Sequence, residues 1–176
     1  MQIILSIFIA LMQPATTLFD FTPYSSLDSW YVVNDGVMGG LSEGALELTS
    51  EGHGLFTGQV RLENNGGFTS IRCATGKIET AEGASVRMRI KGDGKNYQFR
   101  VKHKARDYQS YITTFSTSGE WQTIEIPLNE LYSSFRGRVL DMPNFNHKSL
   151  TEFTFLIANK KAETFELLID SVELIQ

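Results

Sequence analysis

The sequence predicts an all-β protein built as a β-sandwich, and three observations carry that expectation. Apolar and polar residues alternate with a period of two along most of the chain. Glycine-centred turns punctuate the alternation. Helical periodicity is scarce. A chain of 176 residues can bury a sizeable core. No long linker, low-complexity tract or fixed-period repeat divides it, so one domain is the simplest organisation.

The first segment differs from the rest. Residues 3–12, IILSIFIALM, are apolar except for Ser6, and Pro14 and the small residues Ala15, Thr16 and Thr17 follow. The run is too short to span a bilayer as a helix and has the form of a signal-peptide core, although no Lys or Arg precedes it. A signal peptide over residues 1–17 is therefore expected. A single domain would follow over 18–176, in a protein exported to the periplasm or cell envelope. An uncleaved anchor, which would be its one membrane contact, and a buried first strand are the alternatives. The arginines and amphipathicity of a mitochondrial transit peptide are not present.

Short strands punctuated by glycine follow in GALELTS, GLFTGQV and GFTSIRCA. SVRMRI sets Val86, Met88 and Ile90 against Arg87 and Arg89, and YQFRV sets Tyr97, Phe99 and Val101 against Gln98 and Arg100. The intervening KGDGKN reads as a hairpin turn, because glycine reaches positive φ without strain. SYITTF and WQTIEI are separated by STSGE. PLNELYSSF has room for one helical turn, with Pro127 near its start. TEFTFLI and TFELLIDSVELI, joined by ANKKAE, read as the last strands. Phe, Ile, Leu and Val would form the core between two sheets, with Lys and Arg protecting the edges.

Composition removes several function classes. Sixteen basic residues against 20 acidic ones leave a net charge of −4, which argues against a nucleic-acid binder. The local run KHKAR reads as a solvated strand end or hairpin tip. One cysteine, Cys73, forms no internal disulfide and no cysteine zinc cage, and in SIRCAT it reads as a small buried residue. His53, His103 and His147 show no metal-ligand spacing, and Ser42 lacks a nucleophile elbow. No enzyme, metal or cofactor is expected. Asp20 and Asp170 fall on the first and last strands, where a hydrogen-bonded pair of strand ends is favoured over a calcium site.

Three constellations remain as candidate binding residues. The first is the pair of glycine loops, VNDGVMGGLSEG and ENNGGF. Gly36 on one side and Gly39 and Gly40 on the other flank Met38, a flexible thioether suited to an irregular gap, and Gly66 and Gly67 precede Phe68. These loops either close one end of the sandwich or line a site in which Asp35, Ser42, Asn64 and Asn65 supply polar contacts. The second is a set of arginines at alternating strand positions, Arg72, Arg87, Arg89 and Arg100, joined by Arg136 and Arg138 of FRGR. On a shared face they would hold a carboxylate, a phosphate or an acidic loop; otherwise they form a solvated face paired with Asp and Glu. The third is aromatic: Tyr97, Tyr108, Tyr111, Phe115 and Trp121 are either core or a platform for a sugar's apolar face.

Several of these segments together resemble a known family. They are VNDGVMGGLSEG, FTGQVRLENNGGFTSIR, GDGKNYQFR, WQTIEIPLNEL and FELLIDSVEL, covering about residues 19–175. The pairing of Asp-Gly-x-Met-Gly-Gly-x-Ser with Glu-Asn-x-Gly-Gly-Phe is similar to that of the complex I intermediate-associated protein family. The resemblance implies a jelly-roll β-sandwich like galactose-binding domains and carbohydrate-binding modules. Its mitochondrial members are assembly factors for the respiratory NADH dehydrogenase. The chain is thus expected to be a binding module with a protein partner, or alternatively a carbohydrate-binding module of the cell envelope.

Overall fold

The computed structural model describes residues 14–176, so the apolar run of residues 3–12 lies outside the described residues. Among the described residues thirteen strands follow one another. They are β1 (Ala15–Asp20), β2 (Trp30–Asn34), β3 (Glu43–Leu48), β4 (Gly54–Val60), β5 (Thr69–Glu79), β6 (Ser85–Gly92) and β7 (Asn96–Lys102). The rest are β8 (Ser110–Ser116), β9 (Trp121–Pro127), β10 (Tyr132–Phe135), β11 (Arg138–Val139), β12 (Ser149–Ile157) and β13 (Glu163–Ile175). A six-stranded sheet has the order β3-β4-β13-β6-β9, with β1 also on β13. A seven-stranded sheet has the order β11-β10-β8-β7-β12-β5-β2. The fold is a jelly-roll β-sandwich.

Alternation selects the two inward faces. From the six-stranded sheet Phe56, Met88, Ile90, Leu167 and Val172 are fully buried, and Ile71, Tyr97, Phe99, Phe153 and Phe155 meet them from the other. Each such side chain contributes about 1.5–3 kcal/mol on burial. Tyr97 packs edge-on against Phe165 across the sandwich at 6.4 Å. Cys73 is buried beside Ser29 and its thiol is pushed up to about 11 by burial. The helical turn expected after Pro127 is a 3-10 turn, Leu128–Glu130, and Tyr132–Phe135 of that segment form β10.

Strand pairing departs from the sequence reading at one connection. KGDGKN does not close a hairpin: β6 pairs with β13 and β9, whereas β7 pairs with β12 and β8. The connections β8 to β9 and β12 to β13 likewise cross from one sheet to the other. Asp93, in the first crossing, accepts hydrogen bonds from Tyr97 Oη at 2.9 Å and Glu166 N at 3.0 Å, which ties the two sheets together at this corner. Hairpins among the described strands are β3–β4, β7–β8 and β10–β11.

First and last strands lie side by side, β1 against β13, with Phe21 N donating to Asp170 O at 2.9 Å. The Asp170 carboxylate is ion-paired with Arg89 at 3.1 Å. The boundary expected after residue 17 falls inside β1, which begins at Ala15.

Candidate functional site

The two glycine motifs converge on one carboxylate. Asp35 opens the 3-10 turn Asp35–Met38 at the end of β2 and is only 6% exposed. Its Oδ2 accepts from Ser42 Oγ at 2.5 Å, Gly67 N at 2.6 Å and Phe68 N at 3.3 Å, and its Oδ1 accepts from Ser42 N at 3.1 Å. Burial alone would raise this carboxyl, but the hydrogen bonds outweigh it and hold the group below the ordinary carboxylate value. The glycines are required by this packing: a Cβ on Gly40 would sit 2.2 Å from Asp35 Oδ1, and one on Gly66 2.6 Å from Oδ2. Asn64 Nδ2 donates to Gly39 O at 2.9 Å, with Asn64 and Asn65 both at positive φ. Asp35, Ser42, Gly40 and Gly66 thus face one another. The side chains of Val37 and Met38 lie outside the described residues, and the gap-filling expected of Met38 with them.

The arginines do not share one face. Arg87 and Arg89 project from the outer face of the six-stranded sheet, where Arg87 pairs with Glu125 at 3.0 Å and Arg89 lies 4.7 Å above the ring of Trp121. Arg72 and Arg100 project from the outer face of the seven-stranded sheet, on strands that flank β12, and both stand opposite Thr154. Arg136 and Arg138 are exposed on the β10–β11 hairpin. Tyr97 and Tyr111 are corrected more fully. Both are buried, Tyr97 with its hydroxyl on Asp93 and Tyr111 with its hydroxyl 2.7 Å from His147 Nε2. Phe115 is core as well. None of these three rings is available to a ligand's face.

The outer face of the seven-stranded sheet holds the polar cluster with unused capacity. Register sets Tyr31, Arg72, Thr154, Arg100, Ile112 and Tyr132 in one row across β2, β5, β12, β7, β8 and β10. Glu152 is the acid of this cluster, and Tyr31 Oη donates to its Oε2 at 2.5 Å. Burial and the contact with Glu152 push the Tyr31 hydroxyl up to about 12, so it remains a donor. Arg72 Nη1 reaches Glu152 Oε1 only at 3.9 Å, and Arg72 Nε is buried without a hydrogen-bond partner. Arg100 donates from Nε and Nη2 to Gln98 Oε1 at 3.1 and 2.5 Å and meets no carboxylate. Burial, reinforced by the neighbouring charge of Arg72, lowers Arg100 to about 10, so it is still charged at neutral pH. Of these two guanidiniums only Arg72 has an acid within reach, and that acid already serves a tyrosine. The arrangement can take a further carboxylate or a set of hydroxyl acceptors.

Sequence reasoning missed Tyr31, Glu152 and Tyr132. Alternation against Trp30 and Phe153 puts Tyr31 and Glu152 off the core, but nothing local says that β2, β5, β12 and β7 lie side by side. Spacing likewise leaves His103 and His147 unrelated, yet their rings stack with centroids 4.1 Å apart. Burial and the adjacent His103 lower His147.

The fold is a β-sandwich like that of carbohydrate-binding modules. It is similar to the Family 11 carbohydrate-binding module from Clostridium thermocellum, solved with a mixed-linked tetrasaccharide, with a TM-score of 0.66 and 14% identity over 92% of this chain and 95% of that one. A part of an agarase is also similar, with a TM-score of 0.61 and 12% identity over 93% of this chain and 25% of the agarase. At these identities the likeness shows the fold alone.

The family is narrower than the fold: residues 19–169 match the family described as Complex I intermediate-associated protein 30, and the chain belongs to it. It is 30% identical to the mitochondrial Complex I intermediate-associated protein 30 of Drosophila melanogaster over 94% of this chain, and 24% identical to that of Mus musculus over 92%. The chain spans 65% and 56% of the lengths of these two relatives. Both relatives are mitochondrial, which overturns the expectation of an exported envelope protein.

Proposed function

We propose that this chain is a non-catalytic module that binds a protein partner through the outer face of its seven-stranded sheet. The observation behind this reading is the Arg72–Arg100 pair: Arg100 has no carboxylate within reach, and the one near Arg72 is already engaged by Tyr31. An acidic side chain of a partner would complete the charge balance of the two guanidiniums. The names of the relatives point to the partner class, an assembly intermediate of respiratory complex I. The test is capture of complex I subunits from a membrane extract by the wild-type chain and by Arg100→Ala, with a thermal melt of each. The expected result is lost capture with a melt altered by about 1 kcal/mol or less. Undiminished capture would remove this face from the function.

A carbohydrate ligand is the second reading. It is favoured by the exposure of Tyr31, 43%, at one end of the same row, and by the oligosaccharide bound to the similar Family 11 module. Against it, Tyr97, Tyr111 and Phe115 are core, and Tyr31 is held at its hydroxyl by Glu152. Titration with a β-1,3-1,4-glucan oligosaccharide decides between them. Saturable binding lost in Tyr31→Ala would favour the sugar.

A further inference from the structure

We infer a second docking surface at the β10–β11 hairpin, fitted to an acidic, apolar-bearing extended segment of a protein partner. It lies at the far edge of the seven-stranded sheet from β2 and uses none of the residues of the Arg72–Arg100 cluster. Three apolar side chains are exposed together here, Tyr108 at 60%, Phe135 at 37% and Met142 at 37%, and Val139, 70% exposed, lies on the opposite face of the hairpin. Tyr108 and Phe135 meet edge to face at 5.2 Å, and Tyr108 Oη lies 3.9 Å from Met142 Sδ. Contacts between these residues hold a continuous patch in place, where isolated exposed apolar residues would need no explanation.

Charge around the patch names the occupant. Residues 102–109 and 135–142 contain Lys102, Lys104, Arg106, Arg136 and Arg138 against Asp107 and Asp141, in a chain whose net charge is −4. Lys102 Nζ is used by Asp107 O, and the Asp107 carboxylate is turned back onto Lys104 N at 3.1 Å. Among the described residues, Lys104, Arg106, Arg136 and Arg138 form no ion pair, whereas Arg72, Arg87 and Arg89 each have a carboxylate within 4.0 Å. Arg136 lies 5.2 Å from the centroid of the Phe135 ring. It also occupies the first position of the two-residue turn at φ 49, a left-handed conformation that asparagine or glycine would adopt with less strain.

An arginine at that position, over an exposed ring and without an acid, suits recognition of an external carboxylate. β11 is an edge strand whose outer side is unpaired among the described strands. An added strand alternating acidic and apolar residues would set acids against Arg138, on the face it shares with Phe135, and apolar groups against Val139 on the other face. A lipid surface fits less well, because the aromatic side chains pack on one another and do not project freely.

The test uses the full chain and a synthetic peptide of alternating Glu and Leu, with an alternating Lys and Leu peptide as control, read by fluorescence anisotropy. The expected result is saturable binding of the acidic peptide only, weakened about tenfold or more in Arg136→Glu/Arg138→Glu. Arg106→Glu and Val139→Ser should weaken it too, the former on the other segment of the patch, so a folding defect confined to the hairpin would not imitate the result. Arg100→Ala should bind the peptide as the wild type does, which separates this surface from the proposed function. Equal binding of the Lys peptide would overturn the inference, as would binding insensitive to the hairpin variants but lost in Arg100→Ala. It would also fall if phosphatidylserine vesicles, and not the peptide, were bound, or if Arg136→Glu dispersed a dimer of this chain.

Discussion

The glycine-loop carboxylate and the arginine pair are opposite uses of a partly buried charge. Asp35 is surrounded by donors that match its acceptors, and four hydrogen bonds from three residues fill it. Arg72 and Arg100 are surrounded by too few acceptors, and a buried nitrogen of Arg72 has none. A satisfied buried charge holds a fold together, because removing it strands its partners. An under-satisfied one at a surface favours binding, because an incoming group supplies what is missing. The loops that the sequence marks most heavily are thus a tie between β2, β3 and β5, and the better binding candidate lies on a strand face that the sequence marks only by alternation.

Breaking the tie should have the largest effect. Asp35→Ala leaves the backbone donors of Gly67 and Phe68 unpaired and is expected to cost about 3 kcal/mol, read from urea unfolding. A pH series sharpens the point. The folded carboxyl lies below its ordinary value, so the unfolded chain binds more protons in that window and stability rises with pH there. The contribution is complete above about pH 4 and is lost as the pH falls through the folded value. Urea midpoints of Asp35→Asn should therefore change less than wild type across that acid limb. A parallel pair of curves would remove Asp35 as the acid-sensitive tie.

Filling the space beside the carboxylate comes next. Gly40→Val and Gly66→Val place a Cβ against Asp35 and should each cost about 2 kcal/mol or more, seen as lowered melting temperatures. Gly39→Val, whose Cβ would meet only Asn64 Cβ at 3.8 Å, should cost less, through its positive φ alone. If Gly39→Val proved the worse of the three, the carboxylate would not be what the glycines serve.

On the arginine face the balance reverses, with small effects on stability and large ones on binding. Arg100→Ala should weaken capture about tenfold or more, as expected for a charge-assisted contact, with a nearly unchanged melt. The smallest effect on stability belongs to Tyr31→Phe, about 1 kcal/mol or less by chemical denaturation. It frees Glu152 Oε2 to compete for the arginines, so capture should fall in this variant as well. Capture that strengthened would mean that Glu152 faces the partner and does not compete with it.

Period-two alternation by itself determines most of this fold. The inward side of β6 and β7 is legible from SVRMRI and YQFRV because a strand's side chains alternate whatever it pairs with. The glycine loops are legible because positive φ and close approach leave few other residues possible. Family membership is legible too, from two motifs well separated along the chain. Their meeting at Asp35 is not, because it needs β2 and β5 brought side by side. Strand partners are hidden for the same reason: a Gly-Asp-Gly turn permits a reversal, but whether β7 then pairs with β6 or crosses to the other sheet depends on where β12 and β13 offer free edges. Alternation likewise puts Arg72, Arg87, Arg89 and Arg100 off the core but cannot say on which of two outer faces. Only the tertiary structure decides that, because a side chain's face is a local property of its strand, while its neighbours come from strands far away in the chain.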